Sequence, residues 1–479
     1  MKLKKITRPF HFVIFGASGD LAQLKLFPAL YELALQRRLP GSYCICGYAR
    51  SALSDASFRK LFQESVIKTY GKQTNKKVLE DILQHLYYYQ GQYEDPEDYR
   101  HLADELKKRQ KGKRAETLAY LAVPPDVFKP IIQNLGSLKG RGIGPIRIIL
   151  EKPFGDNEKS ATELFHFTSR FFRMKDVYLL DHYLGKSPVQ RILPLRYYNT
   201  LLDVLLKGKH IKSIQISALE TVGVENRIGY FEKVGIIKDM VQSHLLQILS
   251  LFAMAIPYRR EDDQVKREKV HILSALRYGD TPCGIVLGQY KGYKKLEGVQ
   301  KNSKTPTFAA VRFFIDLMDW YRVPIYIRTG KQLNHKHTYI VVEFRKPPFY
   351  RKNEQIDCNR LIIELYPNEK IQIRLLDEVG KELGYREIIN TASLACTGEN
   401  YLVEHGKLIL DAFLGIRSSF LSFEEIIASW KFVDSLMDCI NNHRVPVLNY
   451  ADGTEGPKEQ HELTARDNNQ WYDADHSSV

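Results

Sequence analysis

Three groups of residues in this chain have types and spacings that chemistry needs. Near the start, Gly16-Ala-Ser-Gly19-Asp-Leu-Ala22 follows an apolar run and opens a helix-like stretch. Glycines let a backbone approach a pyrophosphate, and a helix N-terminus offers unpaired N–H groups and the positive end of a dipole. Gly16, Ser18, Gly19, Asp20 and Leu21 are therefore candidate cofactor contacts. A generic tight turn uses the same residues, so the order strand, loop, helix is what gives the motif weight. A second apolar run ends in Gly47-Tyr-Ala-Arg50-Ser51. An NAD enzyme carries an acidic residue there for the ribose hydroxyls, whereas a guanidinium suits a 2′-phosphate, so Arg50 favours NADP.

The second group is Asp181-His-Tyr-Leu-Gly-Lys186. If this stretch is helical, His182, Tyr183 and Lys186 share a face and converge on one anion; if extended, they do not. The third is His244, set among Met240, Val241, Leu245 and Leu246, with Asp239 five positions before it. An imidazole oriented by a carboxylate on its other nitrogen is suited to take a hydroxyl proton while hydride leaves the carbon. The same apolar setting suits a satisfied core histidine, and the residues alone leave both readings open. On an ideal α-helix, positions 239 and 244 lie about 140° apart. Both reach one substrate only if it sits across the helix edge, or if Asp239 precedes regular helix.

The elements that must position these groups follow from periodicity. Phe10–Phe15, Ser42–Gly47, Thr117–Val123 and Pro145–Leu150 read as buried strands, and Leu24–Leu35 has helical spacing. Alternation of that kind predicts an α/β, doubly wound, Rossmann-like domain over residues 1–180. Past residue 180, a long helical stretch at 233–255 mixes with period-2 strands at Ile211–Leu219 and Thr338–Phe344. This predicts an α+β domain over 181–460 around a large, mostly antiparallel sheet. Residues 461–479 turn polar and are expected to be a flexible tail.

Bulk composition narrows the function classes. At 479 residues the chain is long enough for two or three domains, and its 44% hydrophobic content supports a sizeable core. No apolar run is long enough to predict a membrane span. The charged start Met1-Lys-Leu-Lys-Lys runs into a glycine loop without a cleavage site, so a leaderless cytoplasmic protein is expected. Six cysteines are scattered without a zinc pattern or a disulfide framework, which suits a reducing compartment. The net charge of +14 is spread along the chain. Its densest run, Lys107–Arg114, reads as a solvated loop or helix end without interleaved aromatic residues. No nucleic-acid partner is expected; the field better serves anionic small molecules.

Gly16–Ala22, Glu151-Lys-Pro-Phe-Gly155 and Asp181–Lys186 occur in one order, followed by Val222–Glu225, Asp239–Gln247, Arg328-Thr-Gly-Lys331, Asn359–Leu361, Leu410–Ala412 and Gly453–Pro457. Together they resemble glucose-6-phosphate dehydrogenases over residues 10–457. The resemblance implies oxidation of D-glucose 6-phosphate to 6-phospho-D-glucono-1,5-lactone with NADP, the first step of the oxidative pentose phosphate pathway. It assigns His244 as the base and Asp181 as the group that orients it. His182, Tyr183 and Lys186 take the phosphate, while Glu220 and Asp239 accept from sugar hydroxyls. Lys152 lies between nicotinamide and substrate, before a cis-proline, and Lys331 and Lys336 approach the substrate from the second domain. A homo-oligomer, dimer or tetramer, is implied, and no metal.

Four places depart from the family pattern: Leu179-Leu180, Ser187 before Pro188, Ser243 and Thr305-Pro306-Thr307. None removes a catalytic group; the first three surround the site and bear on affinity and rate. Two alternatives accompany the reading. One is a different sugar-phosphate dehydrogenase, and the other a non-catalytic scaffold that retains the fold. The set Asp181, His182, Lys186, Asp239 and His244 argues against the scaffold, which has no use for it.

Overall fold

Strands buried on both faces read as near-continuous apolar runs, and five such runs with one partly buried edge strand, Leu86–Gln90, form the first sheet. They are β1 (Phe10–Phe15), β2 (Tyr43–Ala49), β3 (Leu86–Gln90), β4 (Glu116–Leu121), β5 (Ile146–Glu151) and β6 (Val177–Leu180). In this computed structural model, which describes residues 4–109, 115–279, 282–346, 358–378, 385–394, 402 and 404–472, their order is β3-β2-β1-β4-β5-β6. Every neighbouring pair is parallel. The strand order reverses between β1 and β4, which is where a doubly wound sheet opens the crevice that takes a dinucleotide. The Rossmann-like expectation is borne out.

The compact unit that holds this sheet comprises residues 1–186 and 396–426. Its second piece differs from the continuous 1–180 expected above. Leu408, Ile409 and Phe413 of the helix Glu404–Leu414 join the core built on Phe10 and Phe12. The Phe413 ring lies 4.1 Å from Phe10 and 5.7 Å from Phe12. Arg147 donates to the Ala412 and Phe413 carbonyls at 2.8 and 3.2 Å. A cover supplied from so far along the chain leaves no local signal in β1. The basic run seen from Lys107 begins in the last turn of the helix Pro96–Arg109; residues 110–114 lie outside the described residues.

The second unit, residues 187–395 and 427–479, is built on a ten-stranded sheet. Its strands are β7 (Ile211–Leu219), β8 (Leu276–Tyr278), β9 (Ile285–Tyr290), β10 (Phe308–Ile315), β11 (Ile325–Gly330), β12 (His337–Phe344), β13 (Arg360–Tyr366), β14 (Lys370–Glu378), β15 (Tyr385–Ser393) and β16 (Val447–Tyr450). The order is β15-β14-β13-β12-β7-β11-β10-β9-β16, with β8 paired to β10. Only β7–β11 and β9–β16 are parallel, so the mostly antiparallel sheet is also as expected. The long helical stretch is kinked at Gly235, whose φ of +65° a side chain would strain. It continues as a π-helical segment, Ile237–Leu245, and then as the α-helix Leu246–Ala253.

Two expectations are corrected here. The tail predicted from residue 461 is held down as far as it is described. Gln460–Ala465 form a helix, Asp467 makes two 2.7 Å bonds to Arg312, and Trp471 and Tyr472 are buried. A few aromatic anchors and one ion pair suffice without apolar periodicity; residues 473–479 lie outside the described residues. Second, Cys283 and Cys439 form a disulfide, with Cα atoms 5.8 Å apart. They are separated by 156 residues, and spacing alone does not reveal such a pairing. Among the described residues no helix is long and apolar enough to cross a membrane.

Candidate active site

At the C-terminal edge of the parallel sheet, β1 gives way to the glycine loop. Gly16 has φ +81°, and a Cβ there would meet the Ala122 carbonyl oxygen at 2.3 Å, so no other residue fits. The Gly16 N–H donates to Tyr48 O at 2.8 Å, and the Gly19 N–H returns to Gly16 O at 3.0 Å. Ser18 Oγ lies 3.1 Å from Ser51 Oγ, which ties the loop to the end of β2. Asp20 and Leu21 then start the helix that runs on through Ala22–Leu26 and Phe27–Leu35. Arg50 is exposed just beyond β2 and places its guanidinium 5.4 Å from the Tyr93 ring centre. A glycine-bearing loop of small residues ahead of a helix start, with a cation seated on an aromatic ring beside it, fits a dinucleotide and its anionic groups.

Two strands along, β5 ends at Glu151, and Lys152 follows through a cis bond to Pro153, as the resemblance implied. Past β6, Asp181 is buried, and its Oδ1 accepts the Tyr183 N–H at 2.8 Å. That bond caps the single turn His182–Gly185. The His182 ring meets Tyr183 edge-on with centroids 5.2 Å apart, and Lys186 Nζ is 3.6 Å from the Tyr183 ring centre. The helical alternative thus holds for one turn, which ends before Lys186, and Tyr183 is where the three meet.

Beneath this turn is a titratable cluster that the sequence did not single out. Tyr120 Oη donates to Glu151 Oε1, and His405 Nε2 is 3.9 Å from the same oxygen. Burial pushes the Glu151 carboxyl up to about 7 and the His405 imidazole down to about 4. Burial also raises Glu404, with Lys186 and Lys25 opposing and Asp181 adding to the shift. The one available signal was Glu151 itself, the first residue of the Glu-Lys-Pro strand end. His405 and Glu404 arrive from the distant helix and carried none.

In the second unit, β7 and β11 are parallel neighbours with Leu219 opposite Gly330, so Glu220 and Lys331 emerge side by side. Lys331 Nζ donates to Glu220 Oε2, and both the Lys331 and Gly330 backbones are tied to adjacent segments. Lys336 lies instead over the Tyr366 ring, 4.3 Å from its centre. Asp239 and His244 are both 2% exposed. They sit in the π-helical segment, where the Leu246 N–H donates to Val241 O, five residues back. Hydrogen bonds between residues five apart bring such residues closer to one side than an α-helix does, so the expected 140° separation does not apply. Arg227 lies 3.4 Å from Asp239 Oδ1, and Ser243 Oγ donates to Asp239 O at 2.9 Å.

A glycine loop at the switch point of a doubly wound parallel sheet, in a chain that also buries a histidine and an aspartate in one helical segment, fits the class of nicotinamide-dependent oxidoreductases. Comparison with known proteins narrows the class. The family description "glucose-6-phosphate dehydrogenase, NAD binding domain" matches residues 13–191, and the C-terminal domain of the same family matches 193–472. The chain is 34% identical to a glucose-6-phosphate 1-dehydrogenase of Chlamydia pneumoniae, over 97% of this chain and 96% of that one. It is 36% identical to the enzyme of that name from Cyberlindnera jadinii, over 93% and 92%. A solved glucose-6-phosphate dehydrogenase in complex with its substrate glucose 6-phosphate superposes with a TM-score of 0.89 at 33% identity, covering 99% of this chain and 100% of that one. The chain belongs to the glucose-6-phosphate dehydrogenase family, and it is an enzyme of that kind.

Proposed function

We propose that the protein oxidises D-glucose 6-phosphate to 6-phospho-D-glucono-1,5-lactone with NADP, as the entry step of the oxidative pentose phosphate pathway. NADP, when bound, supplies the hydride acceptor. Gly16, Ser18, Gly19, Asp20 and Leu21 hold its pyrophosphate, and Arg50, backed by Tyr93, its 2′-phosphate. His182, Tyr183 and Lys186 bind the sugar phosphate. Glu220 and Asp239 accept hydrogen bonds from its hydroxyls, with Lys331 fixing Glu220 and Lys336 approaching from the second unit. Lys152 contacts substrate and cofactor. His244 takes the O1 proton as the C1–H electron pair leaves, and Asp181 steadies the imidazolium.

The observation that carries this reading is the π-helical segment. It holds two ionisable side chains, Asp239 and His244, each 2% exposed, in a segment buried at all but one of its nine residues. Polar groups are not buried in that way for stability alone. Cytoplasmic location and a homodimer or tetramer complete the proposal. Exposed Leu375 and Ile388, paired across β14 and β15 and each above 40% exposed, give an oligomer a surface to cover.

The test is the reduced-nicotinamide absorbance with glucose 6-phosphate, NADP and NAD in parallel. Rapid reduction with NADP, little with NAD and none with plain glucose is expected. Equal use of NAD refutes the role of Arg50, and no reduction with either refutes the function.

A further inference from the structure

The Cys283–Cys439 disulfide lies in the second unit at a junction of three elements. Cys283 occupies the turn between β8 and β9 with φ +63°, a left-handed backbone unusual for a residue with a side chain. Gly284 follows at φ +54°, where a Cβ would meet Arg312 O on β10 at 2.6 Å, so the turn is pressed onto the sheet. Cys439 sits in the last turn of the helix Phe423–Asn442, which leads into β16. Because β16 pairs with β9, the bond fastens the helix end to the strand turn beside that pairing.

A third group makes this more than a static tie. His443 is exposed, and its Nδ1 lies 2.9 Å from the Cys439 carbonyl oxygen, 3.6 Å from Cys439 Sγ and 3.9 Å from Cys283 Sγ. A carbonyl can only accept, so the Nδ1 proton of this contact goes to the Cys439 oxygen, and the same nitrogen lies within 4 Å of both sulfurs. The sulfurs themselves are nearly covered, Cys283 at 2% and Cys439 at 7% exposed, while Asn441, Asn442 and His443 are all exposed. The approach from solvent is therefore at the helix end, past the imidazole. Cys44 and Cys46, by contrast, are buried with their thiols pushed up by burial, Cys44 to about 12, which makes them poor nucleophiles.

We infer that Cys283 and Cys439 form a reversible thiol–disulfide exchange site, with His443 as its acid, that reacts with small-molecule or protein dithiols. An external thiolate attacks Cys439 Sγ and forms a mixed disulfide. The electron pair of the broken S–S bond goes to Cys283 Sγ, which takes a proton from Nδ1 of the His443 imidazolium, leaving a neutral ring with its proton on Nε2; solvent restores the imidazolium. A second thiolate attacks the external sulfur of the mixed disulfide and releases Cys439 as a thiol. The net change is protein disulfide plus two thiols to protein dithiol plus external disulfide, two electrons passing to the protein.

Differential alkylation with mass mapping on the full folded chain, equilibrated with reduced and oxidised glutathione or with dithiothreitol, tests the site. Cys283 and Cys439 should exchange together without denaturant. Because the bond closes a long loop, the reduced form should melt several degrees lower. His443→Ala should slow reduction by dithiothreitol about tenfold, leave the Tm of the oxidised form within a degree or so, and recover speed with added imidazole. A Cys283→Ala/Cys439→Ala variant should melt like the reduced protein under both conditions. Thiols that stay reduced in oxidised glutathione, reduction that requires denaturant, or a reduced pair that binds Zn²⁺ and no longer reoxidises each overturn the assignment. So does an unchanged exchange rate in His443→Ala.

Discussion

In the proposed role His244 takes a proton from a buried position, 2% exposed, in a helical segment that also buries Asp239, Gln242 and Ser243. Replacing it with asparagine keeps the size and removes the proton acceptor. His244→Asn should reduce kcat by roughly 10²–10⁴-fold, the usual worth of a general base, with the fold retained by circular dichroism. A variant that keeps more than a tenth of wild-type kcat rules the role out. Arg50 is tested by its preference rather than its rate. Arg50→Ala should raise KM for NADP by about tenfold and leave KM for NAD nearly unchanged, because a charge-assisted contact to one phosphate is worth roughly 1.5–3 kcal/mol. At this scale the sequence was informative where residues share a short motif. Asp181, His182, Tyr183 and Lys186 lie within one run, and their convergence on Tyr183 was half visible in their spacing. Glu151, Glu404 and His405 were not, because their relationship exists only after the helix Glu404–Leu414 has packed on the first sheet.

The loop and the π-helical segment show how an element can constrain a site more tightly than its residues do. Gly16→Val places a Cβ where the Ala122 oxygen already is, on a backbone with φ +81°. The strained conformation alone costs about 1–3 kcal/mol. Since the loop must move to admit the side chain, cofactor affinity should fall by more than tenfold, measured by fluorescence titration, together with a lower Tm. Equal affinity in a folded variant would show that the loop does not hold the pyrophosphate. Four of the six parallel strands were legible because buried strands read as apolar runs, their ends placed within two residues; β3 and β6 were not picked out. The π-helical geometry was not. A reading based on 3.6 residues per turn has no place for it, and it placed Asp239 and His244 on different sides. No residue type marks the π-helical geometry; the segment follows the kink at Gly235 and packs against β11.

For the molecule as a whole, a buried histidine links stability to pH. His405 has its imidazole pushed down to about 4, chiefly by burial and then by Lys25. The unfolded chain binds that proton near pH 6.5, the folded chain only near 4, so stability is complete above about 6.5 and falls as the pH drops towards 4. The loss amounts to about 2 kcal/mol by pH 5. Neighbouring Glu151, pushed up to about 7, works in the opposite sense and is common to both proteins compared. The urea midpoint of the wild type should therefore fall more between pH 7.5 and 5 than that of His405→Asn; parallel profiles would dismiss the linkage. Whole-chain organisation was the least legible level, because composition drifts smoothly and gives no hint that residues 396–426 belong to the first unit. That return has a consequence during synthesis. When residue 186 leaves the ribosome, the first sheet still lacks the helix whose Leu408, Ile409 and Phe413 cover Phe10 and Phe12. At about 5–20 residues per second, the missing piece follows on the order of tens of seconds later. Throughout that interval the nascent sheet presents an uncovered aromatic face, which makes it a substrate for ribosome-associated chaperones long before the chain is an enzyme.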